Sequence, residues 1–317
     1  MSKDHTERLQ SLQSQMLATG YVADTGLLAS VDLMITLQKP LLLEGEAGVG
    51  KTGIAHSIAK ACQTELIRLQ CYEGLDAQHA LYDWDYQRQL LTIQMQQGSD
   101  SAVTNLKQTI YSDEFLLMRP LLKAIRAEKP TVLLIDEIDR ADEEFEALLL
   151  EILAEQQITV PELGTFHSVT TPMVILTSNG VRELSDALRR RCLYHYIDYP
   201  DHQKEISIVR AQIPDLEQKL AQQAVTFVQN LRQERLRKVP GIAETLDWVA
   251  ALCALNVNDL RAALNGSTSA GDGTGASDIT SSLSALLKTR IDMETYANTD
   301  ELSRIMEGRQ LTEEESP

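Results

Sequence analysis

The sequence lacks most of the marks of a specialised chain. Its 317 residues hold four cysteines, Cys62, Cys71, Cys192 and Cys253, scattered without a C-x-x-C pair or a neighbouring histidine. That argues against a disulfide framework and a structural zinc site, and points to a cytoplasmic protein. No apolar run approaches the roughly 20 residues that span a bilayer, and the polar, mixed-charge stretch 1–15 does not read as a signal peptide. Basic residues are outnumbered, 29 Lys and Arg against 46 Asp and Glu, for a net charge of −17. A chain that tracks a nucleic-acid backbone carries a basic face, so this balance disfavours a DNA motor and favours protein partners. The six histidines form no ligand cluster, and His56 and His195 read as packed residues rather than catalysts. No internal repeat is evident.

What is present is an alternation of helices and widely spaced apolar strands. A helix within 1–19 and a second from Asp24 to Leu37 precede a first strand at Leu41–Glu44. Four more strands are expected at Leu66–Leu69, Thr131–Ile135, Met173–Thr177 and Leu193–Ile197. Strands so far apart, with helices between them, predict a five-stranded parallel α/β sheet flanked by helices. Phe115–Lys129 reads as helical, Asp142–Gln156 as a strong helix, and 157–169 as a hairpin turning at Pro161 and Gly164. A boundary is expected near Pro200, giving an α/β domain over 1–200 and a helical domain over 201–317. The second domain would contain a flexible linker at 265–276, a last helix at Ile279–Lys288 and an acidic tail at 312–317. Another loop is expected at 97–100.

The strongest chemical signal is Gly45-Glu46-Ala47-Gly48-Val49-Gly50-Lys51-Thr52, followed by Gly53. It matches the G-x-x-x-x-G-K-[ST] phosphate loop (Walker A) in its strand–loop–helix setting. Glycines let successive backbone N–H groups turn inward around a phosphate chain, and the helix start adds unpaired donors. Lys51 is placed to reach the β- and γ-phosphates of ATP, and the Thr52 hydroxyl to bind Mg²⁺. A second apolar strand ends in Asp136-Glu137. There Asp136 is expected to hold Mg²⁺ through water and Glu137 to orient the attacking water. Val174-Ile175-Leu176-Thr177-Ser178-Asn179 ends a third strand, and the Asn179 amide there could hydrogen-bond the γ-phosphate or the lytic water. Arg189-Arg190-Arg191 closes a short helix, and one of the three could reach a neighbouring subunit's γ-phosphate.

This ordered set resembles an AAA+ ATPase, a P-loop core with a C-terminal α-helical lid. Asp136-Glu137-Ile138-Asp139-Arg140-Ala141 is similar to the D-E-I-[ND]-R-A run of the MoxR branch. Ala187-Leu188-Arg189-Arg190-Arg191-Cys192 and Val239-Pro240-Gly241-Ile242-Ala243-Glu244-Thr245-Leu246-Asp247-Trp248 resemble the subgroup associated with molybdenum hydroxylases of the carbon monoxide dehydrogenase type. The resemblance implies a ring oligomer, usually a hexamer, with Arg191, followed by Arg190, as the trans finger. It also implies chaperone-like maturation of a metalloenzyme client and a partner carrying a von Willebrand factor A domain. Two departures stand out. The lid helix near Ile242–Leu246 carries Glu244 where many AAA+ lids offer an arginine. No aromatic–apolar–glycine pore loop is found, although Tyr82 or Trp84 within Tyr72–Tyr86 either touches a client or packs under a loop. A nucleic-acid motor on the same core, or a nucleotide switch with little turnover, are the alternatives. The charge argues against the first and the Asp136-Glu137 pair against the second.

Overall fold

The computed structural model describes residues 3–76, 80–96, 110–264 and 276–309. Of the linker expected at 265–276, residues 265–275 lie outside these residues, as do the tail at 312–317 and the loop at 97–100, while residue 276 begins a helix. The chain divides into two compact units. One comprises Met1–Thr19, Ala23–Gly45 and Lys51–Ile197, and the other Gly20–Val22, Glu46–Gly50 and Asp198–Pro317.

The first unit is built on a five-stranded parallel sheet with the order β2-β5-β8-β1-β9, formed by β1 (Leu41–Gly45), β2 (Glu65–Gln70), β5 (Thr131–Asp136), β8 (Met173–Ser178) and β9 (Leu193–Ile197). Every residue of β5 is buried, as a central parallel strand covered on both faces requires. Helices α1 (Lys3–Ala18), α2 (Thr25–Leu37) and α3 (Lys51–Ala61) belong to this unit. Asp24 caps α2 by accepting the Leu27 N–H at 2.8 Å. Helix α3 gives Ile54, Ala55, Ile58 and Ala59 to the core, which leaves His56 on the opposite face. His56 is therefore exposed, not packed as its sequence setting suggested. His195, half-buried on β9, lies 3.4 Å from the Ser30 hydroxyl.

Between β2 and β5 the chain forms β3 (Tyr82–Trp84), α4 (Tyr86–Gln96), β4 (Leu116–Met118) and α5 (Pro120–Ile125). The expected helix over Phe115–Lys129 is thus only its Pro120–Ile125 part. Leu116–Met118 instead pairs antiparallel with β3, and Pro120, at the first helical turn, holds Arg119 extended. Tyr82 and Trp84 are buried, edge-to-face at 6.2 Å, and Trp84 meets Tyr111 at 5.3 Å. Packing decides between the two readings of these aromatics, and neither ring is available to a client. Helix α6 (Glu143–Glu155), capped by Asp142 through the Phe145 N–H, leads into the hairpin of β6 (Gln157–Val160) and β7 (Gly164–His167). Helix α7 (Asp186–Arg191) precedes β9.

The second unit is helical: α8 (His202–Gln212), α9 (Gln218–Arg232), α10 (Ile242–Ala254), α11 (Leu260–Leu264), α12 (Ala276–Ser282), α13 (Arg290–Tyr296) and α14 (Thr299–Met306). Its core is centred on Trp248 and Phe227, whose rings lie 5.0 Å apart. The single helix expected over Ile279–Lys288 ends earlier, at Ser282, and passes into a 3₁₀ turn at Leu283–Ala285. Helices α13 and α14 follow, each capped by a side chain, Thr289 and Asn298, in a stretch whose sequence lacked a long apolar period. No described helix is long and apolar enough to cross a membrane.

Candidate active site

The phosphate loop begins at the end of β1 and delivers α3. Gly48 and Gly50 have φ of +82° and +93°, conformations that only glycine adopts without strain. The loop turn Glu46–Gly50 groups with the helical unit. There the Gly48 carbonyl accepts the Ile242 N–H at 2.9 Å, at the first residue of α10. Lys51 is buried, and its Nζ donates to the Gly45 carbonyl at 2.7 Å.

Asp136 sits at the C-terminal end of β5, buried, with its carboxylate fully engaged. Oδ1 accepts from the Thr177 hydroxyl at 2.5 Å and from the Thr52 hydroxyl at 3.1 Å. Oδ2 accepts from Arg68 Nε at 3.1 Å and Nη2 at 2.6 Å. In the sheet, β8 stands between β5 and β1, and its register sets Thr177 beside Asp136. Thr177 donates its O–H to Asp136 and accepts the Glu137 backbone N–H at 2.9 Å. Neither Thr177 nor Arg68 was singled out from sequence. The signal for Thr177 was a hydroxyl inside a buried apolar run, since such a group requires a partner.

Glu137 adopts a left-handed conformation, φ +55° and ψ +49°, unusual for a residue with a side chain. Its carboxylate pairs with Arg140 Nε at 2.7 Å. Asn179 follows β8 directly. Its backbone N–H donates to the buried Asp139 carboxylate at 3.1 Å, and Val181 N–H donates to the same oxygen at 2.9 Å. The side-chain amide of Asn179 has no hydrogen bond to another described residue. A second buried carboxylate, Glu146 on α6, binds Arg182 and accepts the Ser185 N–H at 2.9 Å, and Ser185 caps α7. Two buried acids thus fix the loop between the Asn179 strand end and the arginine helix. Of its three arginines, Arg189 pairs with Glu44 at 3.5 Å, while Arg190 and Arg191 are exposed and form no ion pair with a described residue.

The first turn of α10 carries Glu244, whose Oε2 accepts the Gly241 N–H at 3.0 Å. Arg235, Arg237 and Lys238 are exposed upstream, and Arg232 is consumed by a buried pair with Glu205. No arginine lies in that first turn. The donor set fits a magnesium nucleotide. Thr52 gives its proton to Asp136 and keeps its oxygen lone pairs for a cation, and the positive-φ glycines shape an anion cradle.

The sheet, loop and strand-end acids form an α/β AAA+ P-loop fold. Residues 40–192 match the family model of the AAA domain, dynein-related subfamily, which supports an AAA+ ATPase. The chain is also similar to an uncharacterised protein of Staphylococcus haemolyticus, 25% identical over 251 residues, 76% of this chain and 86% of that protein. An uncharacterised protein of Staphylococcus aureus is 25% identical over 239 residues, 74% of this chain and 82% of its own length.

Proposed function

We propose that this chain is a MoxR-type AAA+ ATPase. It works as a hexameric ring in the cytoplasm and couples MgATP hydrolysis to maturation of a protein client. The client is a metalloenzyme of the molybdenum hydroxylase type, and the partner is a protein with a von Willebrand factor A domain. The observation that carries the ATPase reading is the hydrogen-bonded unit of Thr52, Asp136 and Thr177, which ties the phosphate-loop helix to the strand end bearing Glu137. The finer assignment rests on the Asp136–Ala141 and Val239–Trp248 runs.

In this mechanism the backbone of Gly45–Gly50 and the Lys51 ammonium hold the phosphates, with Thr52 and Asp136 as the magnesium residues. The metal supplies charge neutralisation on the phosphate oxygens. Glu137 leaves Arg140, a half-exposed partner, and orients the lytic water. Asn179 reports the γ-phosphate. Arg191, with Arg190 beside it, serves the site of the neighbouring subunit.

Glu137→Gln should bind ATP with wild-type affinity, hydrolyse it at least about 100-fold more slowly, and retain client and partner in an affinity purification read by mass spectrometry. Wild-type turnover in that variant would overturn the ATPase mechanism. A trapped set without a metalloenzyme or a von Willebrand-type protein would overturn the client assignment alone.

A further inference from the structure

Asp136 is the residue expected beside the metal, yet both lone-pair directions of its Oδ2 are already taken. Arg68 Nε and Nη2 lie 3.1 and 2.6 Å from that one oxygen. Oδ1 is no freer, since Thr177 and Thr52 donate to it at 2.5 and 3.1 Å. A carboxylate accepts about four hydrogen bonds, so no position remains for a metal-bound water. The two hydroxyls and the guanidinium differ in how they can yield. Thr177 is buried and also holds the Glu137 N–H, and Thr52 can donate to Asp136 while offering a lone pair to a cation. The Arg68 side chain is 48% exposed, against 4% for Asp136, and its Nη2 has a second acceptor in Gln70 Oε1 at 2.5 Å. Arg68 alone combines positive charge with a path to solvent.

We infer that Arg68 is an internal counter-ion that competes with the divalent cation for Asp136 and so sets how strongly magnesium and nucleotide binding are coupled. Before loading, its guanidinium compensates a buried carboxylate that would otherwise be unpaired. On loading, it must give up at least one of its two bonds to Oδ2, and this lowers the gain from magnesium. Arg68 is thus a positioning residue, and its inference rests on the reading of Thr52 and Asp136 as the magnesium residues.

The test is the ratio of dissociation constants for ribose-labelled fluorescent ADP measured on the full chain in EDTA and in saturating Mg²⁺. The solution chemistry of the nucleotide is common to all variants and cancels. Arg68→Ala should raise the ratio about tenfold, the equivalent of one charge-assisted hydrogen bond of about 1.4 kcal/mol. Arg68→Lys, with a single ammonium in place of the fork, should fall between. Asp136→Asn should collapse the ratio. An unchanged or lowered ratio in Arg68→Ala, with collapse in Asp136→Asn, would sink the counter-ion role and leave the site intact. A wild-type ratio in Asp136→Asn would overturn the metal assignment and the role of Arg68 with it.

Discussion

The close approach of Gly241 to the phosphate loop gives the sharpest test of how the loop is held. Gly241 precedes α10 with φ −85° and ψ −172°, backbone that any residue adopts, so alanine there meets no conformational penalty. The obstacle is steric. A Cβ on Gly241 would lie 2.7 Å from the Gly48 Cα and 2.9 Å from the Gly48 oxygen. Carbon atoms rest at about 3.5 Å or more, so the two backbones must separate by about 0.8 Å. A shift of that size takes the Ile242 N–H to Gly48 C=O bond from 2.9 Å to beyond hydrogen-bond range. The lost bond costs about 1 kcal/mol and the overpacking about 1–3 kcal/mol, roughly 2–4 kcal/mol together.

That free energy appears in nucleotide binding if the loop turn is what moves. Gly241→Ala should then weaken ADP about 30-fold to several hundred-fold, read by fluorescent-nucleotide titration. Gly164→Ala is the matched control. Gly164 has φ +91° in the β6–β7 turn and open space around its Cα, so alanine there adds about 1–2 kcal/mol of backbone strain away from the loop. It should lower the melting temperature and leave ADP affinity unchanged. Wild-type ADP affinity and stability in Gly241→Ala would refute the steric reasoning. Equal loss of affinity in Gly164→Ala would show that general destabilisation, rather than loop displacement, sets nucleotide binding.

Arg232→Ala should destabilise the helical unit by about 3–5 kcal/mol in urea unfolding, because it leaves the fully buried Glu205 carboxylate without the two 2.8 Å bonds from the guanidinium. A loss below about 1 kcal/mol would mean that Gln229 and Thr245 suffice to hold Glu205. Asp259 supplies a pH-dependent contribution. Hydrogen bonds from Lys219, then Gln223 and the Ala262 N–H, draw its carboxyl down from 3.8 to about 2. A carboxyl lowered on folding stabilises in full above its unfolded value, so this contribution is complete above about pH 4 and is lost as pH falls through about 2. An NMR titration of the Asp259 carboxyl should show the low midpoint, and Lys219→Ala should move it upward; an unmoved midpoint would rule out the lysine as the main cause.

The centre of the parallel sheet was legible because its strands are apolar on both faces. Val132–Ile135 and Val174–Leu176 announce burial without any partner being known. The loop and the strand-end acids were legible for a different reason, since their chemistry is carried by neighbours along the chain. What escaped was whatever depends on pairing across the chain. Leu116–Met118 passes for the start of a helix until β3 is set against it, and the caps that hold α13 and α14 are single polar residues between short elements.

The two hidden members of the site share one cause. Thr177 lies 41 residues from Asp136, and Arg68 lies 68 residues away. Both meet it only through register. Pairing Ile135 with Leu176 puts the next residues, Asp136 and Thr177, side by side. Pairing Gln70 with Asp136 puts Arg68, two residues back on the same face of β2, within reach of the carboxylate. Thr177 interrupts an apolar strand with a group that cannot be buried unpaired at low cost. A polar residue in such a strand therefore marks a contact even where spacing cannot name the partner. Here Thr177, marked by its burial, and Arg68, placed by its register, converge on the one aspartate around which the nucleotide chemistry is proposed to turn. The hydrogen bonding of that aspartate is thus set by three strands, β2, β5 and β8, and not by the D-E dipeptide alone.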